Sequence, residues 1–256
     1  MEYNFHTHTY RCNHAIGEDE EYVQKAIKAG LKRLGFSDHI FLPGIYQKTS
    51  RGAFILYEDY LDSIKALKYK YKDEIEISIG LEAEYSDRFL PFIKEQLETK
   101  KVEYLILGQH FNFDKGDNPP YIRDQRNDID ALKTYVEQVK KGLKTGLFSY
   151  LAHPDLYVVA FDEWNEECIN AAHEICKICE ELDIPMEINA HAHNCWDTKR
   201  KMVYPYPEFW EIASQYNIDV VIGYDAHDPK EFRGKLEYEY NLIKKYNLHL
   251  LDDYKI

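Results

Sequence analysis

Short apolar segments alternate with longer amphipathic segments along the whole chain. Seven of the short segments have the length and composition of buried strands: NFHTH, RLGFSDH, EISIGLEAEY, VEYLILGQH, FSYLAHPD, IPMEINAHAH and IDVVIGYDAH. The longer segments space their apolar residues three and four apart, which is typical of helices that bury one face. Strict alternation of strand and helix predicts a parallel sheet covered by helices, as a doubly wound sheet or a closed barrel.

The chain shows no internal boundary. No segment rich in Gly, Ser or Pro and no change of composition divides it, so we predict a single domain over residues 1–256. Two connections, 41–54 and 112–128, are long for links between a strand and a helix. Loops of this kind are more often functional than idle.

Side chains able to bind a metal ion lie at or near the end of every predicted strand. They are His6 and His8, Asp38 and His39, Glu82 and Glu84, His110, His153 and Asp155, Asn189, His191 and His193, and Asp225 and His227. In a parallel barrel the carboxyl ends of the strands lie on one rim, so these residues would converge there. Imidazole and carboxylate without a thiolate cluster suit Zn, Mn or Fe. Because the ligands are too many for one tetrahedral ion, the sequence predicts a site with more than one metal.

Composition narrows the classes of function further. With 32 Lys and Arg against 45 Asp and Glu, the net charge of −13 argues against binding long nucleic acids through bulk positive charge. No stretch approaches the roughly 18 consecutive apolar residues of a membrane-spanning helix, and the N-terminus lacks the pattern of a secretion signal. The five cysteines lack the spacing of a disulfide framework, which favours the reducing cytoplasm.

A series of short motifs runs from His6 to His227. In order they are H-T-H-T, C-N-H, F-S-D-H, G-L-E-A-E-Y, G-Q-H, A-H-P-D and G-Y-D-A-H. Together they resemble the PHP (polymerase and histidinol phosphatase) superfamily and, within it, the histidinol-phosphatase branch. The resemblance implies an α/β fold, a distorted TIM-like (β/α)7 barrel, holding two or three divalent ions such as Zn, Mn or Fe.

The resemblance also identifies metal ligands. The nine matching positions are His6, His8, His14, His39, Glu82, His110, His153, Asp225 and His227. By resemblance, one ion takes His6, His8, Glu82 and Asp225; a second takes Glu82 as a bridge with His110 and His153; a third takes His14, His39 and His227. His14 rests on the resemblance alone, since a lone histidine in a loop before a helix would otherwise be assigned to the surface.

Such a site supports phosphate-ester hydrolysis. Divalent ions lower the pKa of bound water and neutralise charge on phosphoryl oxygens. Our hypothesis is direct attack of metal-bound hydroxide on a small phosphate monoester. By resemblance the substrate is histidinol phosphate, which would become histidinol in histidine biosynthesis. We expect Glu82, Asp225 and His227 to be catalytic, with Asp225 or His227 protonating the leaving alkoxide. No C-x5-R loop, P-loop or G-x-S-x-G motif supplies a side-chain nucleophile.

The residues expected to bind the substrate follow the family's pattern less closely than the metal ligands do. Histidinol phosphatases of this family usually place phosphate-binding basic residues, including an arginine, in the loops after the fifth and sixth strands, and this chain departs from that pattern. We expect substrate contacts from four residues: His191, His193, Arg200 and Arg11. Arg51 and Arg123 lie in other loops of the rim and are comparable candidates.

Three other functions stay open at this point. The first is a PHP phosphoesterase that acts on a phosphotyrosyl protein or a nucleotide. The second is a metal-binding module without turnover, against which the retention of all nine ligand positions argues. The third is an amidohydrolase-type C–N hydrolase. Those enzymes typically use a lysine ligand on a middle strand, and no predicted strand of this chain ends in lysine.

Overall fold

The computed structural model describes residues 1–192, 202–232 and 236–256. Its strands are β1 (Tyr3–Asn4), β2 (Arg33–Phe36), β3 (Glu76–Ala83), β4 (Tyr104–Leu107), β5 (Met186–Asn189), β6 (Asp219–Gly223) and β7 (His249–Leu250). Its helices include α1 (Asp19–Lys28), α2 (Tyr57–Lys70), α3 (Leu90–Glu98), α4 (Ile129–Lys144), α5 (Glu166–Leu182), α6 (Pro207–Ala213) and α7 (Glu237–Tyr246). None of the described helices is long and apolar enough to cross a membrane.

The strands form a curled parallel sheet. β1 to β4 hydrogen-bond in sequence order, and so do β5 to β7. Leu151 joins the two groups through parallel bridges to Leu107 and Met186. On the other side, Thr7 after β1 forms a parallel bridge with Ala226 after β6. The predicted α/β fold with a distorted TIM-like barrel is confirmed.

Two elements differ from the sequence-based prediction. The fifth predicted strand, FSYLAHPD, contributes the single bridged residue Leu151. The chain leaves the extended conformation at His153, with φ of 29°, and enters a 3-10 helix at Leu156–Ala160. The short strand β7, by contrast, was not predicted. It pairs with the start of β6, and two residues are too short to produce a periodic pattern.

Local sequence explains where the helices begin. The side chain of Asp128 accepts a hydrogen bond from the main-chain N–H of Ala131 at the start of α4. Asn165 caps α5 in the same way through the N–H of Cys168. Each of these side chains satisfies a main-chain donor that has no partner within the helix.

Apolar side chains also fill the space that the strands enclose. A small cluster, separate from the main core between sheet and helices, consists of Tyr3, Phe5, Tyr104, Ile106, Tyr150, Ala152 and Val221. The hydroxyl oxygen of Tyr104 lies 2.9 Å from the carbonyl oxygen of Phe5 and 3.1 Å from that of Phe36, so its proton can be donated to either. The interior is therefore packed, as in other parallel barrels, and the open space lies at the carboxyl ends of the strands.

Candidate metal centre

The nine residues identified by the motifs converge at the carboxyl ends of the strands. His6 and His8 follow β1, His14 follows a 3-10 turn, His39 follows β2, Glu82 lies in β3, His110 follows β4, His153 follows Leu151, and Asp225 and His227 follow β6. Seven of the nine are buried, and His14 and His227 are the more accessible two. Residues more than two hundred positions apart in sequence thus share one site.

Glu82 lies at the centre of this cluster. Five histidines have a ring nitrogen within 3.5 Å of its carboxylate: His6, His8, His39, His110 and His153. The shortest separations are 2.8 Å, to Nε2 of His153, and 2.9 Å, to Nδ1 of His39. Burial alone would raise the pKa of Glu82, but the surrounding histidines lower it well below its usual value. The carboxylate is therefore ionised at neutral pH.

The second central carboxylate is Asp225. Its Oδ1 lies 3.0 Å from Nε2 of His8 and 3.4 Å from Nε2 of His6. Burial opposes the ionisation of Asp225, but the nearby His6 and His227 favour it more strongly. The pKa of Asp225 is therefore well below its usual value. Its φ of 48° places it in the left-handed region, a conformation that costs a non-glycine residue about 1–3 kcal/mol. The surrounding structure maintains this costly conformation at the rim.

A third group lies at the more accessible side of the cluster. His14, His39 and His227 bring one ring nitrogen each within 4.8 Å of one another. Nδ1 of His14 lies 3.0 Å from the carbonyl of Cys12, and Nδ1 of His227 lies 2.8 Å from the carbonyl of Asp225. Those contacts occupy Nδ1 and leave Nε2 of both rings to face another ligand.

A carboxylate behind the cluster orients His6. Nδ1 of His6 lies 2.8 Å and 3.1 Å from the two oxygens of Glu187 in β5. Glu187 also accepts hydrogen bonds from the main-chain N–H of His153 and from Nδ2 of Asn189. Sequence reasoning missed Glu187. An acidic residue inside an otherwise apolar strand, two residues before Asn189 on the same face, was the available signal.

Glu84 does the same for His110. Its Oε1 lies 3.1 Å from Nδ1 of His110, and Nη2 of Arg51 donates to both of its oxygens at 2.7 Å and 2.6 Å. Arg51 is fully buried, and its charge is paired with that of Glu84. Its guanidinium is therefore not available to a substrate in the cleft. On the opposite side, Nδ1 of His8 lies 3.4 Å from Oδ1 of Asp38. Outer carboxylates of this kind set the tautomer and direction of metal-binding histidines.

The donor set fits divalent metal ions. Several buried atoms of the cluster make no hydrogen bond of good geometry with a described residue, although some lie close to a neighbouring ring or carboxylate: Nε2 of His6, His8 and His227, Nδ1 of His39 and His153, Oε2 of Glu82 and Oδ1 of Asp225. Leaving one such atom unpaired costs about 1–3 kcal/mol. Imidazole and carboxylate donors suit Zn, Mn and Fe, and binding a cation would satisfy their lone pairs.

A cleft opens over the cluster. Its remaining walls come from Thr49, Ser50, Tyr121, Arg123, His191 and Tyr204. Both long connections, 41–54 and 112–128, therefore reach the site. His191, a predicted substrate-binding residue, lies in this wall, with its ring centroid 4.6 Å from that of His227.

Arg11, which the sequence predicts to contact the substrate, has other partners in the structure. Its guanidinium is buried and donates to Asp19 at 2.7 Å and to Asp59 at 2.8 Å, so its charge is already paired away from the cleft. His193 and Arg200, the other two predicted substrate-binding residues, lie outside the described residues.

Comparisons with known proteins identify a family and several relatives of this chain. A family model described as "PHP domain" matches residues 4–191. A "Probable histidinol-phosphatase" of Deinococcus radiodurans is 28% identical over 229 residues, covering 88% of this chain and 86% of that protein. The "Histidinol-phosphatase" of Lactococcus lactis is 22% identical over 274 residues, covering 98% of this chain and 93% of that protein.

A solved structure shows the same fold. It is the histidinol phosphate phosphatase of Lactococcus lactis complexed with Zn, L-histidinol and phosphate, with a TM-score of 0.72 and 20% sequence identity. The match covers 98% of this chain and 95% of that one. The family model spans well over half of the chain and includes seven of the nine clustered residues, from His6 to His153. The resemblance seen in the motifs is confirmed, and the chain belongs to the PHP domain family.

Proposed function

We propose that this protein is a metal-dependent phosphatase that hydrolyses histidinol phosphate to histidinol and inorganic phosphate. The observation that carries the proposal is the convergence of five histidines on the ionised carboxylate of Glu82 beneath an open cleft. The names of the relatives, and the zinc, histidinol and phosphate in the Lactococcus lactis complex, support the choice of substrate.

The proposed ligand sets divide the cluster among two or three ions of Zn, Mn or Fe. The first set is His6, His8, Glu82 and Asp225; the second is Glu82, His110 and His153; the third is His14, His39 and His227. Close approach of donor atoms within His6, His8 and Asp225, and within His14, His39 and His227, supports the first and third sets. When bound, the ions would lower the pKa of water and balance the charge of phosphoryl oxygens.

The chain's own residues prepare the site for this chemistry. Glu187 and Glu84 hold Nδ1 of His6 and His110, so that Nε2 of each ring points towards Glu82. Because its pKa is low, Asp225 is ionised at neutral pH, the state in which a carboxylate binds a cation. His227 lies beside it, with Nδ1 3.4 Å from Oδ1 of Asp225, at the more accessible side of the cluster.

The lining of the cleft suits a small phosphate monoester. Tyr121, Tyr204 and His191 provide aromatic walls against which the leaving group of a monoester could pack.

The test combines metal counting with phosphate release. The protein is purified with Mn²⁺ or Zn²⁺, metals per chain are counted, and release is measured from histidinol phosphate, phosphotyrosine and nucleotides. We expect turnover of histidinol phosphate, lost in His39→Ala and Glu82→Ala and kept in the control His249→Ala, whose side chain is exposed. A fully metallated protein that releases no phosphate from any of them would refute the proposal.

A further inference from the structure

Arg123 differs from the other described arginines in its contacts. The other five donate hydrogen bonds to carboxylates: Arg11 to Asp19, Arg33 to Asp253, Arg51 to Glu84, Arg88 to Asp117 and Arg126 to Asp162. Nε of Arg123 lies 3.8 Å from Oδ1 of Asp124. The guanidinium donates no hydrogen bond to any residue in the described ranges. Its N–H groups are therefore available to a ligand.

Arg123 also lines the cleft over the candidate metal centre. Among the described residues that line this cleft it is the single lysine or arginine. Its guanidinium carbon lies 4.3 Å from the centroid of the Tyr121 ring, and that ring lies 5.3 Å from the ring of His110. The Arg123 side chain is about 40% exposed, so it combines access from solvent with a place beside the cluster.

The main chain holds Arg123 at this position. The N–H of Ile122 donates to the carbonyl of His110 at 2.9 Å, and Tyr121 forms an antiparallel bridge with Phe111. Arg123 lies in the 3-10 turn Ile122–Asp124. Because this turn is hydrogen-bonded to the main chain of His110, a proposed metal ligand, Arg123 is held close to the cluster.

We propose that Arg123 binds the phosphate group of the substrate and so determines the affinity of the cleft for phosphate monoesters. Guanidinium presents two parallel N–H groups that match two phosphate oxygens, and its charge is permanent. The protein is acidic overall, with a net charge of −13, so a fixed positive charge at the cleft favours entry of a dianion. This inference rests on the proposed function, because it takes a phosphate monoester as the substrate.

The experiment measures phosphate binding separately from turnover. Inorganic phosphate is titrated by calorimetry into metal-loaded wild type, Arg123→Gln, Arg123→Lys and Arg126→Gln, with metal content checked in each. Arg126 is the matched control, because it belongs to the same segment but binds Asp162 and the carbonyl of Val159. We expect Arg123→Gln to weaken the Kd for phosphate and raise the KM for histidinol phosphate by about tenfold to a hundredfold. We expect an intermediate effect for Arg123→Lys and none for Arg126→Gln.

Two results would overturn this assignment. One is a wild-type Kd for phosphate in Arg123→Gln, and the other is an equal loss in Arg126→Gln, which would indicate a general effect of the segment. If Arg123→Gln alone weakens phosphate binding while wild type fails to hydrolyse histidinol phosphate, the role of Arg123 is supported and the proposed function fails.

Discussion

Glu187 in β5 orients His6, which follows β1: its two oxygens lie 2.8 Å and 3.1 Å from Nδ1 of an imidazole 181 positions earlier in the chain. Both side chains are fully buried. The same carboxylate accepts the main-chain N–H of His153 at 3.1 Å. One residue that no motif includes therefore positions two of the nine clustered histidines and carboxylates.

The first prediction concerns the charge on Glu187. In Glu187→Gln the amide keeps the shape of the side chain but removes the charge that makes His6 a stronger ligand. We expect metal affinity to fall by about tenfold to a hundredfold, with a parallel loss of phosphatase activity at limiting metal. Competition with a chromophoric chelator measures the affinity. Glu137→Gln, at an exposed position of α4, is the control, and wild-type affinity in Glu187→Gln would contradict the assigned role.

The second prediction concerns Gly223 at the end of β6. A Cβ there would lie 1.7 Å from Oε1 of Glu187, and the contacts of Glu187 with His6 and His153 prevent it from moving aside. Gly223→Ala should therefore destabilise the protein by about 1–3 kcal/mol, as measured by urea unfolding, and weaken metal binding.

A double-mutant cycle tests the cause of that loss. In a Glu187→Ala background the steric conflict is absent, so Gly223→Ala should cost less there than in wild type. Equal costs in the two backgrounds would show that the conflict with Glu187 is not responsible.

The third prediction concerns the buried ion pair of Arg51 with Glu84. Arg51→Met leaves the carboxylate of Glu84 buried without its cation, which typically costs about 3–5 kcal/mol. Urea unfolding should show that loss, and Arg51→Met combined with Glu84→Gln should recover part of it because no charge is left unpaired. A cost below about 1 kcal/mol in Arg51→Met would contradict the prediction.

The fourth prediction concerns removal of metal. Buried atoms of the cluster that lack a hydrogen bond of good geometry, such as Oε2 of Glu82 and Oδ1 of Asp225, gain partners when cations bind. Metal at a hundred times its Kd stabilises a protein by about 2.7 kcal/mol per site. Chelation should therefore lower the Tm by about 5–10 °C for each site that is emptied, in a chain of this size. An unchanged Tm, with complete metal loss shown by elemental analysis, would argue against binding at this cluster.

The fifth prediction concerns Glu239 in α7, whose buried Oε1 has no partner among the described residues. Burial raises the pKa of Glu239, so the native state holds its proton more tightly than the unfolded chain does. The stability that comes from this tighter proton binding is fully present below the pKa of the unfolded state. It is lost as the pH rises through the pKa of the folded state. Glu239→Gln should be more stable than wild type at pH 8, and the difference should shrink as the pH approaches 4.5, measured by urea unfolding. A difference independent of pH would contradict this.

Much of the site followed from the sequence. The alternation of segments predicts parallel strands, and polar residues that end successive parallel strands must meet on one rim, whatever the lengths of the helices between them. Glu82 at the end of β3 and His110 after β4 illustrate this, since adjacent strands bring them to 3.4 Å. His14 had no such signal, and only its place in the C-N-H motif identified it.

The roles of the basic residues depended on tertiary structure. Arg11, Arg51 and Arg123 all lie in loops of the rim, and nothing local distinguishes them. Arg11 pairs with Asp19 and Asp59, and Arg51 with Glu84, while Arg123 keeps its N–H groups available. Whether an arginine faces a cleft or a carboxylate depends on where distant segments pack.

The sequence by itself determined the fold class and, except for His14, the convergence of the clustered histidines and carboxylates, because both follow from periodicity and strand order. Only the tertiary structure decided which carboxylates orient those histidines and which cation faces the cleft. The reason is physical: Glu187 reaches His6 through contacts between strands far apart in sequence, and no local pattern encodes such a pair.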